Sequence, residues 1–262
     1  MSLRSTDSDC ADKARNIRVV VSYDGTDYFG FQYQPKVPTV EGELRKALSK
    51  VLKDYASLCG AGRTDAGVHA LGQVINFRTD CGIPVDRLCV ALNRHLPPSV
   101  RATGADEVSS DFSARHSAVT RHYRYDIVNA PVCDAITGRF AWHVKSPLNT
   151  AVMRDAARNL IGVHDFTSFS SASEDEGCPV RRVEEIGITE AGNHILVNVY
   201  ANAFLRSMVR KIVGTLFEAG IGKRTPDEVA AMLSARDRKC TDKVAPANGL
   251  CLWEVRYPEK DE

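Results

Sequence analysis

Hydrophobic and polar positions along the chain alternate between two periods. At residues 17–23 the run I-R-V-V-V-S-Y is rich in β-branched side chains and closes on Asp24-Gly25, a turn signal, which predicts a strand. An aromatic loop with Tyr28, Phe29, Phe31 and Tyr33 follows. Beyond Pro38, Val40, Leu44, Ala47, Leu48, Val51 and Leu52 recur at helical spacing, with Thr39 placed to cap the first turn. Short strands at 57–59 and 73–78, a helix over 85–94 with Leu88, Cys89 and Leu92 facing inward, and a strand at 100–108 complete a β-α-β-β-α-β order.

The second half repeats this order: a strand at 119–128, a helix at 150–161, strands at 182–189 and 195–202, a helix at 204–219 and a last strand at 250–257. An extra helix starts at Thr225-Pro226-Asp227-Glu228, where Thr caps, Pro takes the first helical position and Glu completes a capping box. Two such units predict an α+β protein of paired ferredoxin-like (βαββαβ) halves, 15–112 and 113–262. Their sheets would join edge to edge into one continuous antiparallel sheet, with helices on one face and a central cleft. No low-complexity linker parts the halves; the weakest seam is at 109–116, so the interface is expected to be tight.

Composition narrows the reading. A 44% hydrophobic content over 262 residues is enough for a buried core. The formal net charge of +1 excludes the broad positive field of an indiscriminate nucleic-acid binder, so any RNA site must be a local patch. The N-terminal segment is polar, carries Asp7, Asp9 and Asp12, and has no apolar stretch suited to a signal peptide or membrane span, which predicts a cytoplasmic protein. Eight scattered cysteines without a C-x-x-C pair fit neither a zinc nor a redox motif and read as reduced, mostly buried thiols.

One loop stands out chemically: Gly60-Ala61-Gly62-Arg63-Thr64-Asp65-Ala66-Gly67-Val68-His69-Ala70. Its glycines permit sharp turns and close approach to a ligand. It is not a phosphate loop, because Val68 stands where such a loop needs Lys followed by Ser or Thr. Asp65 also replaces the third glycine of a dinucleotide fingerprint. An aspartate in a cleft serves as nucleophile, base or metal ligand, and an adjacent guanidinium would keep it ionised and oriented. No second nearby carboxylate suggests a metal site or a glycosidase pair. The bland alternative is an Asp that only caps its own turn. The loop alone leaves both open.

G-R-T-D-A-G-V-H-A, followed by G-Q-V, resembles the catalytic-loop signature of the TruA family of tRNA pseudouridine synthases. Further similar segments are V-S-Y-D-G-T-D-Y-F-G-F-Q at 21–32, R-H-Y-R-Y at 121–125, D-F-T-S-F at 165–169 and A-N-A-F-L-R-S-M-V-R-K-I-V-G at 201–214. They occur in family order across roughly residues 17–257. The resemblance implies an isomerase converting uridine to pseudouridine at positions 38–40 of the tRNA anticodon stem-loop, acting as a homodimer without metal or organic cofactor.

It also implies roles. Asp65 is the catalytic nucleophile or base, with Arg63 beside it; Tyr123 stacks on the flipped uracil; Arg210 pairs with Asp65. On the predicted 204–219 helix, Arg206 and Arg210 lie four apart beside the core stripe. Tyr125 reads as packing and His69 as a structural hydrogen-bonding residue. Arg115, Arg121, Arg124, Arg181, Arg182, Lys211, Lys223 and Arg224 are candidate phosphate contacts. Two departures stand out: Phe31 where the family usually shows Trp, and Ser207 where many relatives carry a bulkier or more basic residue. Neither is expected to disturb the catalytic set. A non-catalytic RNA-binding protein is the rival reading, whereas a zinc deaminase lacks its H-x-E and P-C-x-x-C ligands.

Overall fold

The computed structural model describes residues 14–171 and 177–258, so Asp7, Asp9, Asp12 and Cys10 lie outside the described residues. The first half runs β1 (Arg15–Tyr23), α1 (Val40–Val51), β2 (Ala56–Gly60), β3 (His69–Thr79), α2 (Val85–Asn93) and β4 (Val100–Val108). Ile17, Val19, Val21 and Tyr23 of β1 are buried, while Arg18 points the other way to an ion pair with Asp106. β1 lies between β3 and β4, antiparallel to both, with Val19 opposite Ile75 and Ala105. The Thr39 hydroxyl caps α1 by accepting the Gly42 N–H at 3.2 Å.

The second half runs β5 (Thr120–Asn129), α3 (Thr137–Phe140), β6 (Trp142–Val144), α4 (Thr150–Arg158), β7 (Gly162–Asp165), β8 (Val180–Ala191), β9 (His194–Ala201), α5 (Met208–Gly220), α6 (Pro226–Ala235) and β10 (Leu250–Arg256). The sheet order is β4-β1-β3-β10-β5-β9-β8-β7, with β2 on β3 and β6 on β5. In each half the strands of the βαββαβ repeat thus lie fourth, first, third, second, the ferredoxin-like arrangement.

The halves join through β3. Its C-terminal stretch pairs with β2, leaving its N-terminal edge for β10 at His69↔Cys251 and Ala70↔Leu252. That pairing is parallel, as is β6 on β5, so the ten-stranded sheet is mostly rather than wholly antiparallel. Tyr123, Tyr125 and Ile127 of β5 share a face with Leu250 and Leu252 of β10 and with Val197 and Val199 of β9, all buried. Arg124, Asp126 and Cys251 occupy the opposite face.

Two local features position the site. α5 begins at Met208, four residues later than its hydrophobic pattern predicts, because Ser207 has left-handed backbone (φ 59°, ψ 8°) that a right-handed helix cannot absorb. Arg206 therefore precedes the helix instead of riding on it. Second, Gly214 lets the segment 243–246 lie against α5; a Cβ there would stand 2.3 Å from the Lys243 carbonyl oxygen. The predicted capping box at Thr225 is present: its hydroxyl accepts the Glu228 N–H at 3.2 Å, and the Glu228 carboxylate accepts the Thr225 N–H at 2.7 Å. The described cysteines are free but mostly half-buried rather than buried, with Cys178 exposed. Among the described residues no helix is long and apolar enough to cross a membrane.

Candidate active site

The loop between β2 and β3 is braced along its length. The Ala61 N–H donates to the Val74 carbonyl at 2.8 Å, and the Gln73 amide donates to the Gly62 carbonyl at 2.9 Å. The Tyr23 and Thr64 hydroxyls lie 2.8 Å apart. The aromatic loop after β1 presses on it: Phe31 N–H donates to the Thr64 carbonyl at 3.1 Å and Gly67 N–H to the Tyr28 carbonyl at 3.2 Å. Gly30 makes this approach feasible, since its φ is +93° and a Cβ would lie 2.7 Å from the Thr64 carbonyl oxygen.

Asp65 heads the turn that follows, its carbonyl accepting the Val68 N–H at 3.2 Å. Its side chain does not cap that turn. The carboxylate instead reaches the start of α5, where Oδ2 accepts the Ser207 hydroxyl at 3.0 Å and the Arg210 Nη1 at 3.1 Å. Oδ1 accepts no hydrogen bond among the described residues. Both charged side chains are partly sheltered, 27% exposed for Asp65 and 20% for Arg210. Arg210 is itself held at two points: its Nε donates to the Ala245 carbonyl at 2.8 Å, and its own carbonyl accepts the Ala245 N–H at 3.0 Å. The guanidinium is thus held through Nε as well as through Nη1 rather than swinging on its stem.

Tyr123 on β5 lies in electrostatic reach of this carboxylate. Burial pushes its phenol well above the ordinary value of 10, and Tyr23 and Asp65 add to the shift, so the hydroxyl keeps its proton. The ring packs edge-on against Phe204 at 5.1 Å, and the hydroxyl makes no hydrogen bond among the described residues.

Of the residues singled out from the sequence, Asp65, Arg210 and Tyr123 converge; Arg63 does not. It is exposed and makes no ion pair or hydrogen bond among the described residues, so the cation beside Asp65 is Arg210. Tyr125 is fully buried, its hydroxyl on the Pro246 carbonyl at 2.8 Å. His69 Nδ1 accepts the Gly25 N–H at 3.0 Å, a structural tie.

Most candidate phosphate contacts are engaged elsewhere. Arg121 is buried and donates to the carbonyls of Ala61, Arg115, Ala118 and Asn202. Lys211 is buried on the Ser170 carbonyl, and Lys223 and Arg224 pair with Glu218. Arg181 donates to the Cys178 and Val180 carbonyls, and Arg182 pairs with Glu184. Arg124 lies over Trp253 on the far face of the sheet from Tyr123. Arg115 remains exposed and unpaired among the described residues. Ser207, in contrast, is a direct partner of Asp65 that the sequence marked only as a departure.

The family model described as tRNA pseudouridine synthase matches residues 19–117 and 156–258. A tRNA pseudouridine synthase A from Brevibacillus brevis is 46% identical over 93% of this chain and 100% of its own length. One from Halalkalibacterium halodurans is 42% identical over 90% of each chain. Among solved structures, a crystal structure of an archaeal box H/ACA sRNP complex matches 77% of this chain and 43% of that chain. With 12% identity and a TM-score of 0.34, it is too distant a likeness to inform the site.

The class is therefore that of the pseudouridine synthases, RNA-modifying isomerases. Within it, the chain belongs to the tRNA pseudouridine synthase family, alongside the proteins named tRNA pseudouridine synthase A.

Proposed function

We propose that this protein isomerises uridine to pseudouridine at positions 38–40 of the tRNA anticodon stem-loop, with Asp65 as the reacting carboxylate. The observation that carries the reading is a single aspartate at the seam of the sheet. One of its oxygens is tied to Arg210 and Ser207, and the other takes no hydrogen bond among the described residues. That leaves one carboxylate oxygen for attack on the substrate or for removal of a proton from its sugar.

The reaction breaks the N1 glycosidic bond, turns the detached uracil and rejoins it through C5, whose proton then leaves while N1 takes one up. A stem uridine must first leave its stack, at a cost of a few kcal/mol. Stacking of the flipped base on the Tyr123 ring would return about 1–3 kcal/mol of this. Arg63, exposed and free of partners among the described residues, is suited to enter the gap left by the flipped nucleotide. No step requires a metal or organic cofactor. The part of the chain at 15–112 supplies the catalytic loop, and 113–262 supplies Tyr123 and Arg210.

We further read the protein as a cytoplasmic homodimer. In support, Leu71 and Trp253 stand exposed on the sheet face opposite Tyr123, lining with Phe140 a hollow of about 400 Å³. Sedimentation of the wild type and of Leu71→Glu tests this: dimer and monomer respectively are expected, and a monomeric wild type refutes it.

The activity is tested by incubating unmodified tRNA transcripts with the protein and mapping pseudouridine by mass spectrometry of nuclease fragments. Product confined to the anticodon stem-loop at positions 38–40 is expected. Bound but unmodified tRNA would favour an RNA-binding module instead.

A further inference from the structure

Ser207 is unusual in three ways that belong together. It is a non-glycine residue in left-handed backbone, a conformation that is uncommon and disfavoured for residues with a Cβ. It occupies the N-cap position of α5, where a serine hydroxyl ordinarily accepts a backbone N–H, yet it makes no side-chain cap. Its hydroxyl instead donates to Asp65 Oδ2 at 3.0 Å across 142 residues of chain. The left-handed backbone and the absent cap are thus accompanied by one non-local contact, to the carboxylate at the centre of the site. Strain retained at such a place is accounted for when it holds a reacting group in position.

The geometry around the carboxylate gives that contact a purpose. Arg210 alone, donating from Nη1 at 3.1 Å, would fix the charge but leave the carboxylate free to rotate about its Cβ–Cγ bond. A second donor on the same oxygen from another direction removes that freedom and selects which oxygen faces the cleft. We infer that Ser207 is a positioning residue for the isomerisation, using its left-handed backbone to aim a hydroxyl at Asp65 Oδ2 so that Oδ1 is presented to the flipped uridine. This rests on the reading of Asp65 as the reacting carboxylate. Ser207 itself touches neither base nor sugar; it acts through Asp65.

Two substitutions separate the hydroxyl from the backbone. Ser207→Gly keeps the left-handed conformation, relieves its strain and deletes the donor. Ser207→Asn also tolerates that conformation and restores an N–H donor from a short side chain. The experiment measures kcat and KM for tRNA, together with thermal melting, for wild type, both Ser207 variants and Asp65→Asn. Expected is a kcat about ten- to a hundredfold lower for Ser207→Gly, with KM within about twofold and a melting temperature equal to or above wild type. Ser207→Asn should recover kcat to within about fivefold of wild type. Asp65→Asn should be inactive. Wild-type kcat in Ser207→Gly beside an inactive Asp65→Asn overturns the role of Ser207 alone. Equal losses in the Gly and Asn variants also overturn it, since the donor would not be what matters. An active Asp65→Asn overturns the reading of Asp65 on which the inference stands.

Discussion

Gly214→Ala perturbs the site without touching it. Gly214 lies within α5, and a Cβ added there would stand 2.3 Å from the Lys243 carbonyl oxygen and 2.9 Å from its carbon, where ordinary contact begins at 3.4 Å. The obstacle is backbone, which cannot rotate aside, so the segment must lift by about 1 Å to restore contact. Ala245, two residues on, holds Arg210 through its carbonyl and its N–H, and so moves with it. Alanine gains about 1 kcal/mol over glycine in helix propensity, against roughly 1–3 kcal/mol for overpacking, which places the net effect between neutral and about 2 kcal/mol destabilising. Activity should suffer more than stability. If Asp65 is the reacting carboxylate as proposed, a shift of about 1 Å in the group that orients it costs up to roughly a hundredfold in rate. Tritium release from C5-labelled tRNA at saturating substrate should show kcat down about ten- to a hundredfold, with KM within about threefold. A variant with wild-type kcat and a raised melting temperature would refute the chain of contacts from Gly214 to Asp65.

Three further outcomes follow from particular residues. Tyr123→Phe keeps the ring and should leave KM for tRNA within about threefold of wild type, whereas Tyr123→Ala loses about 1–3 kcal/mol of base stacking, visible as a rise in KM. Equal KM values for the two would remove Tyr123 as the stacking platform. Burial pushes both His69 and His122 below 6.5, so the unfolded chain binds more protons than the folded one just under that pH. Stability should therefore fall as pH drops from about 6.5 towards 5, and His122→Gln should flatten the slope of melting temperature against pH; parallel slopes would contradict this. Thr225→Ala removes the capping-box hydroxyl of α6 and should cost about 1 kcal/mol in urea unfolding with kcat unchanged, so unaltered stability would count against the cap.

Elements set by local pattern are readable from the sequence. The β-branched run of β1, the stripe of α1 and the capping box at Thr225 all depend on neighbours within a few positions, and all appear where expected. The short β6 and β7 carry too few residues to show a period. The start of α5 falls later than its pattern because nothing in Phe204-Leu205-Arg206-Ser207 signals a left-handed residue; tertiary contact with Asp65 accompanies it. The loop motif draws attention to Asp65 but leaves open an aspartate that only caps its own turn; the resemblance singles out both Asp65 and Arg210, and their ion pair spans 145 residues that no local pattern connects.

The basic residues are the least legible. Arg121 looks like a surface charge beside Tyr123, yet it is buried among carbonyls, among them that of Ala61 at the root of the glycine-rich loop that carries Asp65. Arg63 shares the loop with Asp65 but makes no pair with it, because residues two apart in such a turn need not face one another.

The central claim is that Asp65 performs the isomerisation. Its most direct test incubates purified protein with tRNA tritiated at uracil C5 and compares wild type with Asp65→Asn, with tRNA binding measured for both. The account predicts tritium release by the wild type and none by Asp65→Asn, with both binding tRNA. Release by Asp65→Asn at the wild-type rate would contradict it.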